Sequence, residues 1–575
     1  MIKKIRRPLG KLKRAIKRKF YERNIGKQYK AWLEEAHATT PGSATFPTTI
    51  SIVIPVYNPP LQFLTECVDS VTNQTATNWQ LVVSNDGSTS QDVNDYLAKL
   101  EQENHPQITI LTNPNGGISA AINAGLNQCT GEYFGMLDHD DRLDPRCIEE
   151  FSKQIDEHDH PVAIYSDEDK INTAGVHSEL YCKPDFSPEL LLTQMYLCHF
   201  TIWNTTMVKE AGGLRTHMDG AQDFDLALRL LPQLASNTNH VVHIPLPLYH
   251  WRTWEHSTAR SIEAKPWAQQ AAQKAQQDYL NATFGGGTAE PSSVQGLNEI
   301  HPSINTTSST LVSVIIPTIG TKNTKGNSTF VADAIRTLKE KETKAQLEFI
   351  VVTTGVLPPI PGADTQITYT PTTTFNFSEA INLGAKHASH NSDYLLLLND
   401  DTTAESQDPV TKLLELAQID NVAAVGAKLT YPNGNLQHAG IILLPSGPTH
   451  PYISKSGKDY GYFGATLTPR NYSAVTAAAM LVNKNTFNQV NGFDTEFAKD
   501  FNDVDFCLRI REHGQRIAWT PYSHFTHHEG ASLTRKAADP KEQQLFNDRW
   551  HTKYQLDPYY SSALNQQLQR IYEAL

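Results

Sequence analysis

The chain carries one long pattern twice, and this repeat constrains its fold more than any other feature. In the first half, Ala-Ile-Asn-Ala-Gly at residues 121–125 precedes an apolar strand that ends in Asp-His-Asp-Asp at 138–141. In the second half, Ala-Ile-Asn-Leu-Gly at 380–384 precedes a strand that ends in Asn-Asp-Asp at 399–401. The repeat predicts two copies of one domain, each with its own acidic motif and candidate active site.

The length of the chain agrees with this duplication. Its 575 residues exceed what a single hydrophobic core usually serves, and roughly 100 to 250 residues per domain predict two to four domains. Breaker-rich stretches near residue 45 and after residue 285 indicate the boundaries. We predict a basic amphipathic segment at 1–45, a first domain at 46–284, a linker at 285–310, a second domain at 311–550 and a helical tail at 551–575.

Composition argues against a membrane-spanning or disulfide-stapled protein. The longest apolar runs, such as 394–398 and 477–482, are far shorter than the ~18 residues that a transmembrane helix needs. The six cysteines contain no Cys-x-x-Cys pair, so neither a zinc site nor a disulfide framework is predicted. The start of the chain lacks the apolar stretch of a secretory signal. We predict a reducing cytoplasm as the location.

Charge is concentrated at the start of the chain. Residues 1–30 contain thirteen Lys or Arg and the single acid Glu22, so this stretch carries +12 and the remainder −24 of the total −12. Apolar residues interleave with the basic ones at helical spacing, which favours an amphipathic helix on an anionic membrane surface. The alternative is a solvated or nucleic-acid-attracted tail. The acidic body argues against nucleic acid as a partner.

Strand and helix patterns alternate in the first copy. Ile50–Ile54, Gln80–Ser84 and Ile108–Leu111 read as strands, and 61–73 and 91–103 have helical periodicity. Alternation of this kind predicts an α/β fold with a doubly wound parallel sheet covered on both faces. The second copy begins the same way, at residue 311.

The acids at 138–141 follow an apolar strand. Alternate residues of a strand point the same way, so Asp138 and Asp140 can converge beyond its carboxyl end, where open α/β sheets bind ligands. Two carboxylates without a complete protein cage suit Mg²⁺ or Mn²⁺. The alternative is that these acids cap a turn or helix.

Further polar residues follow the neighbouring strands and indicate a nucleotide pocket. Asp86 can accept hydrogen bonds from a nucleobase, and a glycine pair allows close backbone approach to a ligand. Each residue is also an ordinary turn residue if taken singly. The candidates for nucleotide-sugar binding here are Pro55, Tyr57, Asn58, Asp86, Asn115, Gly116, Asn123 and Asp138.

A series of motifs then occurs in a specific order over residues 49 to 260. They are Pro-Val-Tyr-Asn at 55–58, Asn-Asp-Gly-Ser at 85–88, residues 115–125, Asp-His-Asp-Asp at 138–141, Tyr-Ser-Asp-Glu-Asp-Lys at 165–170, Gly-Ala-Gln-Asp-Phe-Asp-Leu at 220–226 and Leu-Tyr-His-Trp-Arg at 248–252. This combination resembles the family 2 glycosyltransferases of the GT-A fold. The resemblance implies two tandem GT-A domains. It also implies inverting sugar transfer from a nucleotide diphosphate donor, in members that build O-antigen or capsular glycans, many being rhamnosyltransferases.

The resemblance also implies residue roles. A divalent cation at Asp140 stabilises charge on the leaving diphosphate. Asp223 matches the acid of the family's Glu-Asp motif and is the predicted general base, with Gln222 replacing the usual Glu. His250 resembles the family's late histidine and is a predicted metal ligand, and Arg252 is a predicted phosphate partner. Asp225 and Arg229, four residues apart, are instead expected to form an ion pair within a helix.

The second copy departs from the first at informative places. Thr353-Thr354-Gly355 replaces Asn85-Asp86-Gly87, so the pocket acid is missing. Asp503 matches Asp223 as the predicted base. The remaining candidates are Asp401 and His527 for the metal, and Pro317, Thr318, Asn382 and Asn399 for the nucleotide sugar. We predict that both copies are catalytic; the alternative is a degenerate second copy that binds acceptor or serves as a scaffold.

The predicted enzyme is therefore a bifunctional glycosyltransferase with Mn²⁺ or Mg²⁺ as cofactor. Its predicted partners are a UDP or dTDP sugar, a polyprenyl-linked or glycan acceptor and an anionic membrane surface, with no nucleic acid. The predicted location is cytoplasmic, peripheral at the inner face of the cell membrane. Two other classes are less favoured. A nucleotidyl transferase would be expected to carry basic residues after its first strand, which residues 55–60 lack, and a glycan-binding scaffold would not transfer sugar.

Overall fold

The computed structural model describes most of the chain, and the described residues form two compact units. The first unit contains 40–186 and Met195–Ala272, with the last residues from Ser561, and the second contains Ser187–Gln194 and Gln273–Tyr560. The basic stretch at residues 1–39 lies outside the described residues, so its predicted helix stays a prediction. The described residues are 40–236, 240–254, 266–294, 296–304, 310–371, 375–528, 538–562 and 564.

Strands and amphipathic helices alternate along the first unit. In its first helix Leu64, Cys67, Val68 and Val71 are buried at three- and four-residue spacing, so one face packs against the sheet. The strands are β1 (Ile50–Val56), β2 (Trp79–Asn85), β3 (Ile108–Thr112), β4 (Tyr133–Met136), β5 (Arg142–Leu143), β6 (Ala163–Asn172), β7 (His177–Tyr181), β8 (Thr201–Asn204) and β9 (Val241–Thr253). The helices through residue 284 are α1 (Leu61–Thr72), α2 (Gln91–Gln102), α3 (Ile118–Gln128), α4 (Cys147–Glu157), α5 (Pro188–Leu191, in the second unit), α6 (Thr205–Glu210), α7 (Gln222–Ser236) and α8 (Pro266–Phe284).

A mixed nine-stranded sheet forms the centre of the first unit. Its order is β3-β2-β1-β4-β8-β6-β9-β5, with β7 paired to β6. Strands β3, β2, β1 and β4 are parallel, whereas β8 runs antiparallel to both of its neighbours. The α/β prediction is confirmed, but the sheet is not parallel throughout, because hydrophobic periodicity does not determine strand direction. The carboxyl ends of β1, β2 and β4 meet at one edge, which is the usual ligand edge of such sheets.

The second unit repeats this arrangement. Its ten-stranded sheet has the order β14-β13-β12-β15-β22-β17-β23-β16, with β18 paired to β17 and β21 paired to β23. The eight strands in that order match the eight ordered strands of the first sheet. The strands are β10 (Gly287–Pro291), β11 (Asn298–Pro302), β12 (Leu311–Thr318), β13 (Gln346–Thr354), β14 (Thr365–Tyr369), β15 (Ser392–Leu398), β16 (Thr402–Ala404), β17 (Val422–Thr430), β18 (Leu436–His438), β19 (Ile442–Leu444), β20 (Gly447–Thr449), β21 (Arg470–Asn471), β22 (Ala479–Asn483) and β23 (Arg516–His527). The helices are α9 (Phe330–Lys341), α10 (Phe377–Lys386), α11 (Pro409–Ala417), α12 (Lys484–Gln489), α13 (Asn502–Glu512) and α14 (Pro540–Trp550).

Two segments differ from their predictions. Where composition predicts a linker, β10 and β11 pair as an antiparallel sheet, and Ala289 and Ile300 are buried. In the predicted helical tail, residues 551–562 form turns. Asp557 is buried there and accepts a hydrogen bond from the backbone of Leu443 at 2.6 Å, and Pro558 cannot donate a helical hydrogen bond. Both outcomes depend on tertiary contacts that local composition does not encode.

Membrane crossing can be assessed only for the described residues. None of their helices is long and apolar enough to span a bilayer.

Candidate active sites

In the first unit, the residues predicted for the nucleotide pocket lie at the ligand edge of the sheet. Asp86, directly after β2, accepts hydrogen bonds from the backbone N–H groups of Gly116 at 2.7 Å and Gly117 at 3.0 Å. Asn115 donates to the backbone oxygen of Asp86 at 3.1 Å. Gly117 has φ +90°, and a Cβ there would lie 2.5 Å from Asp219, so the loop requires glycine. The structure thus brings Asp86, Asn115 and Gly116 together.

The loop after β1 contributes one exposed and one anchored side chain. Tyr57 is 50% exposed beyond Pro55 and is available to a ligand. Asn58 instead accepts from the backbone N–H groups of Thr89 at 2.8 Å and Ser90 at 2.9 Å. The Asn58 amide therefore ties the loops after β1 and β2 together, a positioning role that the sequence reading did not foresee.

Asn123 and Asn382 have the same surroundings in the two units. Asn123 donates to the backbone oxygen of Leu214 at 2.8 Å and accepts from its N–H at 2.9 Å. Asn382 makes the corresponding pair with Phe493, at 2.7 and 2.9 Å. Each amide is occupied by a backbone segment, so the structure gives both residues a structural role instead of the predicted contact with the nucleotide sugar.

The acidic turn of the first unit is held by Arg252. Its backbone N–H donates to Asp141 at 2.6 Å, its Nε donates to the backbone oxygen of Asp140 at 2.6 Å, and its guanidinium contacts Glu66 at 2.6 Å. Arg252 is fully buried. The prediction that it binds phosphate is therefore replaced by a positioning role, since a buried guanidinium paired with Glu66 does not present itself to a ligand.

Asp138 and Asp140 are partly exposed, as a ligand site requires. The indole Nε1 of Trp254 donates to Asp140 Oδ2 at 2.6 Å. Asp141 is buried and accepts from the hydroxyl of Tyr249 at 2.5 Å. Burial, together with the neighbouring Asp140 and Asp138 charges, raises the pKa of Asp141 well above its ordinary value.

Asp223, the predicted base of the first unit, lies in the first turn of α7. Burial raises its pKa, while the charge of His199 and the backbone N–H of Phe224 lower it and Asp138 raises it. The negative charge of Asp138 is therefore close enough to Asp223 to raise the pKa of Asp223. The raised pKa suits a base that must hold a proton taken from a hydroxyl.

Asp225 forms the ion pair predicted from its spacing. It contacts Arg229 at 3.0 Å and Arg215 through a two-pronged guanidinium contact. Asp505 makes the corresponding contact with Arg509 at 2.8 Å in the second unit. The prediction that Asp225 forms an ion pair within its helix is confirmed.

In the second unit, one cavity of about 650 Å³ gathers the predicted residues. This volume lies within the range of small-molecule sites. Asp400, which stands between Asn399 and Asp401 in the sequence, accepts a hydrogen bond from Thr318 at 2.5 Å, and burial raises the pKa of Asp400 to about 6. Asn382 is not among the lining residues. The predicted residues that line the cavity are Pro317, Thr318, Asn399, Asp401, Asp503 and His527.

His527 and Asp401 form a donor pair suited to a divalent cation. His527 Nδ1 lies 2.8 Å from Gln437 Oε1, which accepts its proton. The opposite nitrogen, Nε2, lies 3.0 Å from Asp401 Oδ1 and 3.3 Å from the amide nitrogen of Asn399. A metal ion bound there would take the lone pair of Nε2 while Nδ1 keeps its proton on Gln437. An unprotonated imidazole nitrogen beside a carboxylate oxygen is a typical pair of metal ligands.

Asp503 lies in the same cavity, in the first turn of α13. The backbone N–H of Ala477 donates to its Oδ2 at 3.2 Å. Burial raises the pKa of Asp503, and the hydroxyl of Thr476 and the backbone N–H of Ala477 lower it. The second unit therefore also places an acid with a raised pKa near a candidate metal pair.

His250 does not occupy the position of His527, although the sequence suggests that they correspond. His250 pairs with Arg142, two residues beyond Asp140, whereas Thr526 pairs with Thr403, two residues beyond Asp401. The register thus matches His527 with Trp251. Since neighbouring residues of a strand face opposite ways, the one-residue offset turns His250 away from the face that His527 uses.

His250 instead belongs to a separate cluster with Asp169 and His177. Among the described residues, these three form the group of His, Cys, Asp or Glu side chains whose ligand atoms lie close enough together to hold a metal ion, within 4.8 Å of one another.

Two residues near the first site were missed by sequence reasoning. His199 stacks on Tyr249 with ring centroids 4.6 Å apart, and its charge acts on Asp223. Lys183 is fully buried and donates to the backbone oxygens of Leu197 and His199, each at 2.7 Å. For His199 the available signal was an ionisable residue between apolar neighbours, which sequence alone does not connect to Asp223; Lys183, next to Pro184 and Asp185, gave no such signal.

Family models match both halves of the chain. The model described as Glycosyl transferase family 2 matches residues 51–208, and the model described as Glycosyltransferase like family 2 matches 313–532, together more than half of the chain. The chain belongs to the family 2 glycosyltransferases. The predicted family is confirmed, and so is the tandem GT-A architecture.

Three curated relatives are longer than this glycosyltransferase chain. It is 32% identical over 537 residues to an uncharacterised protein of Sinorhizobium fredii, covering 90% of this chain and 57% of the relative. It is 29% identical over 531 residues to the O-antigen biosynthesis protein RfbC of Myxococcus xanthus, covering 90% and 40%. A 182-residue segment is 34% identical to the chondroitin synthase of Pasteurella multocida, covering 32% and 18%. The chain thus spans about half or less of the length of the relatives it matches.

Solved structures show a more distant similarity. TarS 1-349 of S. aureus, in complex with UDP-GlcNAc, aligns with 41% of this chain and 73% of its own at 17% identity and a TM-score of 0.30. No residue role is transferred at this level of similarity.

Proposed function

We propose that this chain is a bifunctional, metal-dependent, inverting glycosyltransferase. Each unit transfers a sugar from a nucleotide diphosphate donor, a UDP or dTDP sugar, to a growing cell-surface glycan. The observation that carries the proposal is the cavity of the second unit, which gathers Asp401, His527 and Asp503. The first unit has Asp140 and Asp223 at matching positions, with Asp138 next to them.

The donor set of each unit fits a hard divalent cation, Mn²⁺ or Mg²⁺. Asp401 and His527 offer a carboxylate oxygen and an imidazole nitrogen 3.0 Å apart, and Asp140 and Asp138 offer partly exposed carboxylates. When bound, the cation supplies charge stabilisation for the leaving diphosphate. Gln437 orients the imidazole of His527 for that role, because its Oε1 accepts a hydrogen bond from Nδ1.

The proton of the acceptor hydroxyl passes to Asp223 in the first unit and to Asp503 in the second. The hydroxyl oxygen forms its bond to the anomeric carbon as the bond to diphosphate breaks, and attack from the face opposite the diphosphate inverts the configuration. Burial raises the pKa of both acids, which strengthens each as a base at neutral pH. The first turn of a helix, where both acids lie, stabilises them as carboxylates between turnovers.

The nucleobase pockets of the two units differ, so we propose different donors for them. The register places Thr354 where the first unit has Asp86, since Pro55 pairs with Ser84 and Pro317 pairs with Val352. The Thr354 hydroxyl oxygen is buried without a hydrogen-bond partner among the described residues. A carboxylate accepts hydrogen bonds only, whereas a hydroxyl both donates and accepts, so the two pockets favour different base edges.

For the acceptor we propose a polyprenyl-linked glycan at the inner face of the cell membrane. The support is the +12 stretch at residues 1–30, which is attracted to anionic lipid, and the similarity to a relative named for O-antigen biosynthesis. Deletion of residues 1–30 is expected to release the protein from vesicles of phosphatidylglycerol in sedimentation. Unchanged sedimentation would contradict the membrane proposal without affecting the transfer proposal.

The test of bifunctionality uses the full chain, a panel of UDP and dTDP sugars and a lipid-linked acceptor mimic. Asp223→Asn is expected to abolish one linkage and Asp503→Asn the other, each by roughly 10²- to 10⁴-fold, the usual range for a lost general base. Asp92→Asn, an exposed acid in the first turn of α2, is the matched control and leaves both linkages. Absence of transfer from every donor would refute the proposal.

The alternative function keeps one active unit. The loss of an acid at Thr354 favours it, because a degenerate copy no longer needs a nucleobase contact. In that case Asp503→Asn leaves every linkage unchanged, and the cavity of the second unit binds acceptor glycan instead of donor.

A further inference from the structure

We propose that Asp169, His177 and His250 form a zinc-type metal site of the first unit, separate from the acidic motif at Asp140. This inference does not depend on the proposed transfer reaction, because metal binding is measured directly. It also differs from the expectation from cysteine spacing, which predicts no zinc site. That expectation considers Cys-x-x-Cys pairs and cannot detect histidines that tertiary structure brings together.

Three neighbouring strands build the site. Asp169 on β6 pairs directly with His250 on β9, and His177 on β7 pairs with Ile171, two residues along β6 from Asp169. Residues two apart on a strand share a face. The sheet register therefore places one carboxylate between two imidazoles.

The three ligand groups already face one another, at hydrogen-bond distances that a metal ion would widen to reach its own bond lengths. Asp169 lies 2.7 Å from the Nδ1 atoms of both His177 and His250, one on each carboxylate oxygen. The two imidazole rings are 4.6 Å apart at 86°. Asp169 is 1% exposed and His250 is 5% exposed. Two imidazole nitrogens with one carboxylate are a ligand set of zinc proteins, and they suit Mg²⁺ less well because it prefers oxygen.

A buried oxygen of Asp144 supplies the independent observation. Asp144 is fully buried, and its Oδ2 has no hydrogen-bond partner among the described residues. This oxygen lies 3.9 Å from Nε2 of His250. Its other oxygen accepts from the backbone N–H and the Nε of Arg146, at 3.0 and 3.1 Å. An unsatisfied buried carboxylate oxygen is costly unless another state of the site satisfies it.

The metal-bound tautomer of His250 satisfies that oxygen. Nδ1 of His250 faces Asp169, and Nε2 faces Asp144. A metal ion on Nδ1 would leave Nε2 as the ring nitrogen that carries the proton, and that N–H would point at Asp144 Oδ2. Metal-bound histidines commonly donate their other N–H to a carboxylate. Asp144 is therefore a positioning residue for this site.

Among the described residues of the second unit, the matching strand positions carry no such ligand set, so this unit serves as an internal reference. The registers match Asp169 and His250 with Thr430 and Thr526, which also pair with each other. Thr430 contacts His524 at 2.9 Å and offers no carboxylate. The site therefore distinguishes the first unit, where it joins β6, β7 and β9 next to the strand segment that carries Arg252.

The test measures Zn²⁺ binding to the chelator-stripped full chain with a competing chromophoric chelator, in excess Mg²⁺. Asp401→Ala is used as the background, since Asp401 and His527 could also take Zn²⁺. We expect this protein to bind one Zn²⁺ that is lost, by more than about 100-fold in Kd, in Asp401→Ala/His177→Ala. The matched control is Asp401→Ala/His160→Ala, because His160 pairs with the single carboxylate of Glu132 at 2.7 Å and has 47% side-chain exposure.

A second variant keeps the test decisive if His177→Ala does not fold. Asp144→Asn, in the same background, is expected to weaken Zn²⁺ binding about 10- to 100-fold and to reduce the rise in Tm that Zn²⁺ produces. The proposal is overturned if the Asp401→Ala protein binds no Zn²⁺, or if its binding is the same with His177 replaced. Absence of binding, or binding unchanged by loss of His177, would mean that the cluster is only a hydrogen-bonded His-Asp-His triad; binding unchanged by loss of Asp144 alone would overturn the positioning role of Asp144.

Discussion

The two units share a strand order but differ in where their late histidine lies. In the second unit His527 faces Asp401 at 3.0 Å, inside the cavity that also contains Asp503. In the first unit the register puts Trp251 at that place, and His250, one residue earlier, contacts Asp169. A one-residue offset on a strand moves a side chain to the other face of the sheet. The two units therefore share a scaffold but differ in their candidate metal-ligating side chains.

The largest expected difference between the units concerns His527. We expect His527→Ala to lower transfer by the second unit at least about 100-fold, because loss of a metal ligand costs more than the 10- to 100-fold typical of its outer-shell partners. Trp251→Ala, at the matching position, is expected to leave the metal requirement of the first unit unchanged. The measurement is the rate of each linkage against Mn²⁺ concentration. An equal shift in both units would remove the distinction.

The next effect tests a similarity between the units. Asn123→Ala and Asn382→Ala each leave a backbone N–H and C=O without partners, so each is expected to lower the free energy of unfolding by about 1–3 kcal/mol. KM for the donor is expected to stay unchanged, since both amides contact backbone in the folded protein. Denaturant unfolding and steady-state kinetics measure the two quantities. A raised KM with unaltered stability would restore the predicted role in nucleotide-sugar binding.

A smaller effect is expected at Gln437. Its Oε1 accepts the Nδ1 proton of His527 at 2.8 Å and so turns Nε2 toward Asp401. Gln437→Leu is expected to weaken Mn²⁺ activation of the second unit by about 10-fold, at the low end of the effects measured for residues that orient metal ligands. Activation of the first unit provides the internal control. Loss of activity at saturating Mn²⁺ would indicate a role other than orienting the histidine.

The smallest effect concerns pH and His199. Asp223 acts as a base only when deprotonated, so transfer by the first unit falls as pH drops through its pKa, which burial raises above the ordinary value. The charge of His199 opposes that shift, and His199→Ala is therefore expected to move the acidic limb of the rate profile to higher pH. The register puts Ala478 at the matching position of the second unit, so the profile of that unit is unaffected. A shift to lower pH would show that His199 does not stabilise the Asp223 carboxylate.

Much of the fold was readable from the sequence. The strands that begin at residues 50, 79 and 108 and the helices that begin at 61 and 91 follow from hydrophobic periodicity, and each boundary lies within two residues of its prediction. The acids at 138–141 were placed at the carboxyl edge by alternation along a strand. The functions of the polar residues were harder to predict, because Asn58, Asn123 and Arg252 carry ligand-binding groups that the structure uses for backbone and side-chain contacts.

The sequence by itself determined the duplication, the α/β class, the family and the places of the acidic motifs, because these depend on local patterns that repeat along the chain. Tertiary structure alone decided strand direction, the register that separates His250 from His527, and the meeting of Asp169, His177, His250 and Asp144. These four residues come from separate segments of the chain. Their distances depend on sheet pairing, which is a long-range property, and a shift of one residue in that pairing changes which face each side chain occupies.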